Sequence, residues 1–309
     1  MRIEPGDAGS HWTATVDDRT LTRSSAAALR GPLTRTLYDV LHAGRRQDTT
    51  RSRSLRDPAF EKRLADAAPH RTTTAPARVI EAANRPGETI VELAGIRLAI
   101  PAETIRTTRA PQPGDTVTVE LPAARPALSP GFFLIDSSRG RPRRSPLLRL
   151  YVHVAAPDSA PHAWHEALSL LESKHVPYRA KILSSPRAYP RTDSLVIYLG
   201  PDAWHLAADL SQTLGNLPGS GAATSVFARR LAPGVAMAWE PADNLLGRTR
   251  PSYGQHRSAA LTDALIQHAT VDGTTASLDA AVHEALAHAG IDPLAPERDI
   301  DSPEPDLAR

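Results

Sequence analysis

The sequence predicts an α+β protein: a mixed sheet with helices packed mainly on one face, preceded by a smaller helical and β-rich N-terminal region. Three observations predict it. "LLRLYVHVA" alternates, with Leu148, Leu150, Val152 and Val154 on one side and Arg149, Tyr151 and His153 on the other. A stripe at helical spacing follows in "PHAWHEALSLLESKHVP", carried by Trp164, Leu168, Leu171 and His175. "YRAKIL" and the nearly continuously apolar "DSLVIYL" then read as strands, the second as a buried central one. Strand, helix and strand within about 35 residues fit a βαβ crossover whose helix covers the apolar face.

In chain order, residues 1–30 read as a flexible N-terminus. "LRGPLTRTLYDVLHAG" has Leu33, Leu37, Val40 and Leu41 at helical spacing and Gly44 as its stop. "RRQDTTRSRSLRD" reads as a polar loop and "PAFEKRLADAA" as a short helix. "ETIVELAG" and "IRLAIPAE" form a hairpin turning at Ala94-Gly95. "PGDTVTVELP" and "PGFFLIDSS" are further strands, and the basic "RGRPRRSP", Arg139 to Pro146, is the expected boundary. The region 31–145 is therefore read as helical and β-hairpin, and 146–290 as the α+β core. In that core "WHLAADLSQTLGN" is a helix stopping at Gly215-Asn216, and "GVAMAWE" is a strand. "HRSAALTDALIQHA" and "ASLDAAVHEALAHAG" are helices. Residues 291–309 are expected to be a disordered tail.

Composition narrows the chemistry. The chain has 309 residues, 41% of them hydrophobic, and no cysteine, which removes thiolate nucleophiles and Cys-ligated metal sites. No basic-then-apolar signal segment or 18-residue apolar run appears, so the expected setting is cytoplasmic with no membrane partner. A formal charge of +2 is too balanced to indicate nucleic acid. Nearly all the positive charge is arginine; the only lysines are Lys62, Lys174 and Lys181. There is no GxxxxGK[ST] loop, no GxGxxG and no GxSxG, so no nucleotide cofactor is implied. "HEALAH" fails as a zincin helix, because His283 and His288 diverge by about 140° at five residues apart. His162 and His165 suggest no third ligand, and no metal is expected.

Two polar constellations remain. On the strand face opposite the helix, Arg149, Tyr151, His153, Arg179 and Lys181 share one side. Guanidinium neighbours and burial both disfavour an ammonium ion, which would make Lys181 a base; an ordinary strand-edge lysine is the alternative. Arg187 and Arg191 follow in "SSPRAYPRTD", with Asp193 able to orient Arg191, whereas Arg187 reads as a solvated loop residue. The second constellation is "GRTRPSYGQHRSAAL", a loop entering a helix near Ser252 to His256. There Arg248, Arg250, His256 and Arg257 surround backbone N–H groups that suit an anion.

"LRLYVHV", "VPYRAKIL", "YPRTDSLVIYL", "LAPGVAMAWEP" and "SYGQHRSAAL" occur in the order found in the HopA-like family, as do "LYDVLHAG", "PGDTVTVELP" and "PGFFLIDSS". The resemblance covers about residues 30 to 270. It is to type III effector-related proteins of bacterial peptide-biosynthesis clusters, lanthipeptide and thioamitide among them, which are similar to phosphothreonine lyases of the OspF and SpvC type. It implies elimination of phosphate from phosphoserine or phosphothreonine in a ribosomal precursor peptide, giving dehydroalanine or dehydrobutyrine. A separate kinase-like protein would install the phosphate, and no cofactor is needed. Lys181 would be the base. Arg191 and Arg257, with Arg248 as a third, would bind the phosphate, and Tyr198 would hydrogen-bond phosphate or substrate. The acid would be His153 or His256; the Lys-x-His element of the lyases here reads Tyr151-Val152-His153. Two other readings stand beside this one. One is a non-catalytic HopA-like peptide-binding scaffold that partners a kinase-like modifying enzyme. The other is an effector acting on a phosphorylated host protein.

Overall fold

The computed structural model describes residues 1–5, 11–45, 54–82, 87–241, 251–270 and 277–303. Strands β1 (Arg2–Pro5), β2 (Trp12–Val16) and β3 (Arg19–Arg23) pair antiparallel as a small sheet. Helix α1 (Ala26–Leu37) continues as a π-helical turn over Tyr38–His42, and α2 is Pro58–Ala67. A five-stranded sheet comprises β4 (Thr72–Ala82), β5 (Glu88–Leu93), β6 (Ile96–Pro101), β7 (Ile105–Arg106) and β8 (Thr116–Pro122), in the order β6-β5-β4-β8-β7. The remaining elements are β9 (Ala124–Ser129), β10 (Phe132–Asp136), β11 (Leu148–Val154), α3 (Ala160–Ser173), β12 (Tyr178–Leu183), β13 (Arg191–Leu199), α4 (Leu206–Gly215), β14 (Arg229–Ala232), β15 (Val235–Trp239), α5 (Tyr253–Thr270) and α6 (Leu278–His288). Their strands form a seven-stranded sheet in the order β14-β15-β11-β13-β12-β10-β9.

The α+β class holds, with one change inside it. Every neighbouring pair in the large sheet is antiparallel, so the sheet is not mixed. β11 and β12 run parallel, joined by α3 as the crossover reading requires, but they do not pair. β13 inserts between them and takes the central position that its apolar run indicated. Sequence pattern fixes the direction of each strand but not which strand slips in between.

The large core lies on one face of this sheet. Alternate residues of β11 and β13 (Leu148, Leu150, Leu195 and Ile197) pack on Trp164, Leu168 and Leu171 of α3 and on Leu206, Leu210 and Leu214 of α4, with Phe60 and Leu64 of α2 beside them. Each such side chain, fully buried, contributes about 2 kcal/mol. His175 leaves the stripe: α3 ends before it, and it is exposed with φ +55°. The opposite face carries a smaller apolar cluster of Tyr151, Val196, Ala238, Phe227 and Tyr253, so α5 and the π-helical turn cover that side.

Three boundaries differ from expectation. Residues 2–5 and 11–23 are not loose: Ala14 and Val16 bury against Leu29, Leu33 and Leu37 of α1 and Leu265 of α5. Thr13, Thr15, Thr20 and Thr22 fill alternate positions inside β2 and β3, which leaves few large apolar residues to mark a strand. The connector at 139–146 does not divide the chain, because β9 and β10 before it belong to the same sheet as β11 to β15. Residues 291–303 are packed rather than disordered: Ile291 is fully buried and bridges Asp299, and Trp239 donates its N–H to the Glu297 carbonyl. A segment rich in Asp and Pro scores as disordered only until its partners are known. The "RRQDTTRSRSLRD" loop lies mostly outside the described residues.

Gly44 closes the π-helical turn at φ +69°, and a Cβ there would sit 2.8 Å from the Thr192 methyl. Only glycine allows the turn to approach β13 this closely. The contact brings Tyr38 and His42 onto the polar face of the large sheet.

Candidate functional site

Register brings the site together. Arg149 of β11 and Arg179 of β12 both pair with Tyr198 of β13, and Tyr151 and Lys181 both pair with Val196. The four residues flanking β13 therefore share its face with Tyr198, as strand alternation requires. Arg191 and Asp193 should point the other way by parity. They instead meet Tyr38 and His42 on this face, where the β11–β13 pairing is interrupted: Val152 pairs with Leu195 but Val154 pairs with Arg191. The buried Ser194 hydroxyl holds the bulge, accepting from the Val154 N–H at 2.7 Å and donating to the Arg191 carbonyl at 2.6 Å. A bulge that re-aims side chains is a common device beside active sites.

Arg191 donates to both Asp193 oxygens, Nε to Oδ1 at 2.6 Å and Nη2 to Oδ2 at 2.5 Å, and to the Tyr38 hydroxyl at 2.9 Å. His42 lies behind this pair. Its Nε2 is 3.7 Å from Asp193 Oδ2, and its Nδ1 is 2.9 Å from the Ser225 hydroxyl. The Gly254 backbone of α5 packs so tightly on the imidazole that a Cβ would overlap the ring. Burial pushes the His42 pKa down to about 4; Asp193 opposes the fall, while Arg191, Arg149 and Lys181 add to it. Burial acts to raise the Asp193 carboxyl, but Arg191, His42 and Lys181 outweigh it and hold it at about 2. Burial, then Asp193, push the Tyr38 phenol up to about 12.

Lys181 projects from β12 with its Nζ 4.5 Å from the Phe132 ring centre and 5.8 Å from that of Tyr198. The Arg191 guanidinium lies 5.7 Å from the same Phe132 ring. The arginines nearby are matched: Arg149 bonds Glu240, Arg179 holds Asp136, and Arg191 holds Asp193. Lys181 has no carboxylate within ion-pair distance among the described residues. Arg45, just past the π-helical turn, also lacks one there. Its one hydrogen bond from the side chain goes to the Ala188 carbonyl at 3.5 Å. Burial, then Arg191, lower the Arg45 pKa, with Asp39 and Asp193 opposing.

The other sequence candidates lie differently. His153 is half-buried, with Nδ1 3.1 Å from the Ala223 carbonyl and its ring packed on Gly221. Its hydrogen bond joins the 219–223 loop rather than Lys181. His256 Nδ1 is 3.2 Å from Arg257 Nη1. Arg257 is fully buried, donates to Asp299 at 2.6 Å and to the Pro296 carbonyl at 3.1 Å, and stacks 4.2 Å over the Tyr253 ring. That arginine anchors the C-terminal segment, so its guanidinium is already spent. Ser252 and Gln255 cap the start of α5 reciprocally, which uses N–H groups expected to meet an anion. Arg187 is exposed; Arg248 and Arg250 lie outside the described residues. Tyr198 is at the site, with the Arg149 guanidinium 5.1 Å from its ring centre.

Tyr38, His42 and Arg45 were missed by sequence reasoning as site residues. Their available signal was the i, i+4 spacing of Tyr38 and His42 just before Gly44, which also fits an ordinary helix end.

The HopA1 effector protein family model matches residues 123–298, more than half the chain. The chain belongs to the HopA1 effector protein family. The matched span contains all strands of the large sheet and the C-terminal segment through Arg298, so the HopA1 region begins before the connector at 139–146. No curated protein matches the sequence. Two solved structures resemble the fold, effector proteins from Pseudomonas syringae pv. tomato strain DC3000 and pv. syringae strain 61. Each is 18% identical with a TM-score of 0.48, and each match covers 89% of this chain, against 93% and 92% of theirs. Among the described residues no helix is long and apolar enough to cross a membrane.

Proposed function

We propose that this HopA1-family protein is a phosphoserine/phosphothreonine lyase that removes phosphate from a phosphorylated ribosomal precursor peptide, leaving dehydroalanine or dehydrobutyrine. One observation carries the reading: among the described residues Lys181 has no carboxylate within ion-pair distance, although Arg149, Arg179 and Arg191 around it are each matched. Arg45, beside the balanced Arg191–Asp193 pair, is a guanidinium with no carboxylate in ion-pair distance among the described residues, so an incoming phosphate meets an unmatched cation next to the Lys181 amine. A phosphomonoester near neutral pH carries close to two negative charges.

The chemistry needs no cofactor. The Lys181 amine, after giving its own proton to solvent, takes the Cα proton. The Cα–H electron pair becomes the Cα=Cβ bond, and the Cβ–O pair departs with the phosphate. Arg45 and Arg191 stabilise the charge that develops on the leaving oxygens. Tyr198, whose phenol makes no hydrogen bond to a described residue, is assigned as the proton donor in place of His153 or His256.

The test is a phosphothreonine and a phosphoserine precursor peptide, with released phosphate and peptide mass followed together. The expected result is one phosphoric acid lost per site. Tight binding with phosphate retained would overturn the reading in favour of a peptide-binding scaffold that partners a kinase-like enzyme.

A further inference from the structure

The polar face continues past Lys181 toward the sheet edge, where its charges do not balance. Lys181 pairs with Leu134 of β10, and Leu134 pairs in turn with Arg125 of the edge strand β9. Arg125 and Lys181 thus share one row and one face, two strand spacings or about 10 Å apart. The local carboxylate is Asp136, and Arg179 holds both its oxygens, at 2.7 and 3.1 Å. Arg125 reaches it only at 3.6 Å, without a hydrogen bond, and its side chain keeps 34% of its exposure. Two guanidiniums share one carboxylate, leaving a single partly exposed positive charge.

We propose that Arg125 is a specificity residue that pairs with a carboxylate of the substrate peptide about three residues from the phosphorylated serine or threonine. The inference rests on the lyase reading and adds the recognition of sequence around the phosphate. An extended peptide advances about 3.3 Å per residue, so three residues span the gap between Lys181 and Arg125. A lone partly solvated guanidinium suits one carboxylate, whereas Arg45 and Arg191 beside Lys181 suit a phosphate. Distance separates the two subsites, and charge keeps the peptide from binding shifted.

The experiment uses the full chain and a phosphothreonine peptide otherwise neutral, with a single aspartate moved one residue at a time along both flanks. Phosphate release gives kcat/KM for each peptide. The expected result is a three- to tenfold preference, roughly, for aspartate at one position near three residues away, weakening as salt rises. Arg125→Gln should flatten that preference, and Arg125→Glu should transfer it to a peptide with lysine at the same position. A merely structural role would instead lower Tm and slow every peptide alike. A flat profile in the wild type, or a preference that survives Arg125→Gln, overturns the proposal while leaving the lyase reading intact. No phosphate release from any peptide overturns both.

Discussion

At the scale of single residues, Lys181 and His42 show how neighbours set chemistry. Lys181 is half-buried beside Phe132 and Tyr198, and its amine supports no described ion pair, so its loss removes little packing. Lys181→Ala should therefore reduce phosphate elimination by at least about a hundredfold while circular dichroism and Tm stay near wild type; turnover that survives would remove Lys181 from the base role. His42 makes a stability prediction with a definite sign. Its pKa is about 4 in the folded protein against a reference of 6.5. Above pH 6.5 it is neutral in both states and changes nothing. As pH falls toward 4 the unfolded chain gains a proton that the folded chain refuses, so stability drops, by about 3 kcal/mol in all. Asp193, held at about 2, keeps its stabilising charge throughout that window and loses it only in stronger acid. Urea titrations from pH 7.5 to 4.5 should show this slope, and His42→Asn should reduce it.

At the scale of elements, the irregular start of β13 carries the Arg191–Asp193 pair. Strict alternation would send both into the apolar face with Leu195 and Ile197; around the interrupted pairing they meet Tyr38 and His42 instead. Ser194 sustains the bulge by satisfying the Val154 N–H and the Arg191 carbonyl. Ser194→Ala should cost about 1–3 kcal/mol through the orphaned N–H. It should also lower kcat/KM for the phosphopeptide, because Arg191 loses its fixed origin. A variant with reduced Tm and full kcat/KM would show that the bulge does not position the arginine. The helices of the core, by contrast, were readable from period alone: α2, α3 and α4 lie where apolar spacing and stop signals set them. α2 starts after the Asp57 cap with Pro58 in its first turn, a local arrangement that needs no tertiary help.

At the scale of the whole molecule, the first and last described segments hold α1 and α5 in place. α1 and α5 pack together over the N-terminal sheet, and the segment after α6 ties α5 to β15 through Glu297, Pro296 and Asp299. Arg257 sits at the centre of that tie. Asp299→Asn leaves a buried guanidinium without its carboxylate, a change that costs about 3 kcal/mol in such settings. The urea midpoint should fall accordingly, and limited proteolysis should begin cutting in residues 291–303. An unchanged midpoint would mean that the pair contributes no net stability. The same tie explains why Arg257 looked like an anion ligand in the sequence. An arginine after His256 at a helix start has the same local pattern whether its partner is a substrate phosphate or a distant aspartate.

The α+β class, the central position of "DSLVIYL", the helix period of α3 and α4, and the sharing of one face by Arg149, Tyr151 and Lys181 follow from sequence alone, because each depends on a repeat of two or 3.6 residues along the local chain. The insertion of β13 between β11 and β12, the placement of Arg191 and Asp193 beside Tyr38 and His42, the recruitment of Arg45, and the burial of Arg257 against Asp299 belong to the tertiary structure. Each joins residues tens to more than a hundred positions apart, and no local period records such a pairing. Charge balance is the clearest case: the sequence counts the arginines around Lys181, but only the folded chain gives Arg149, Arg179 and Arg191 their carboxylates and, among the described residues, none to the lysine.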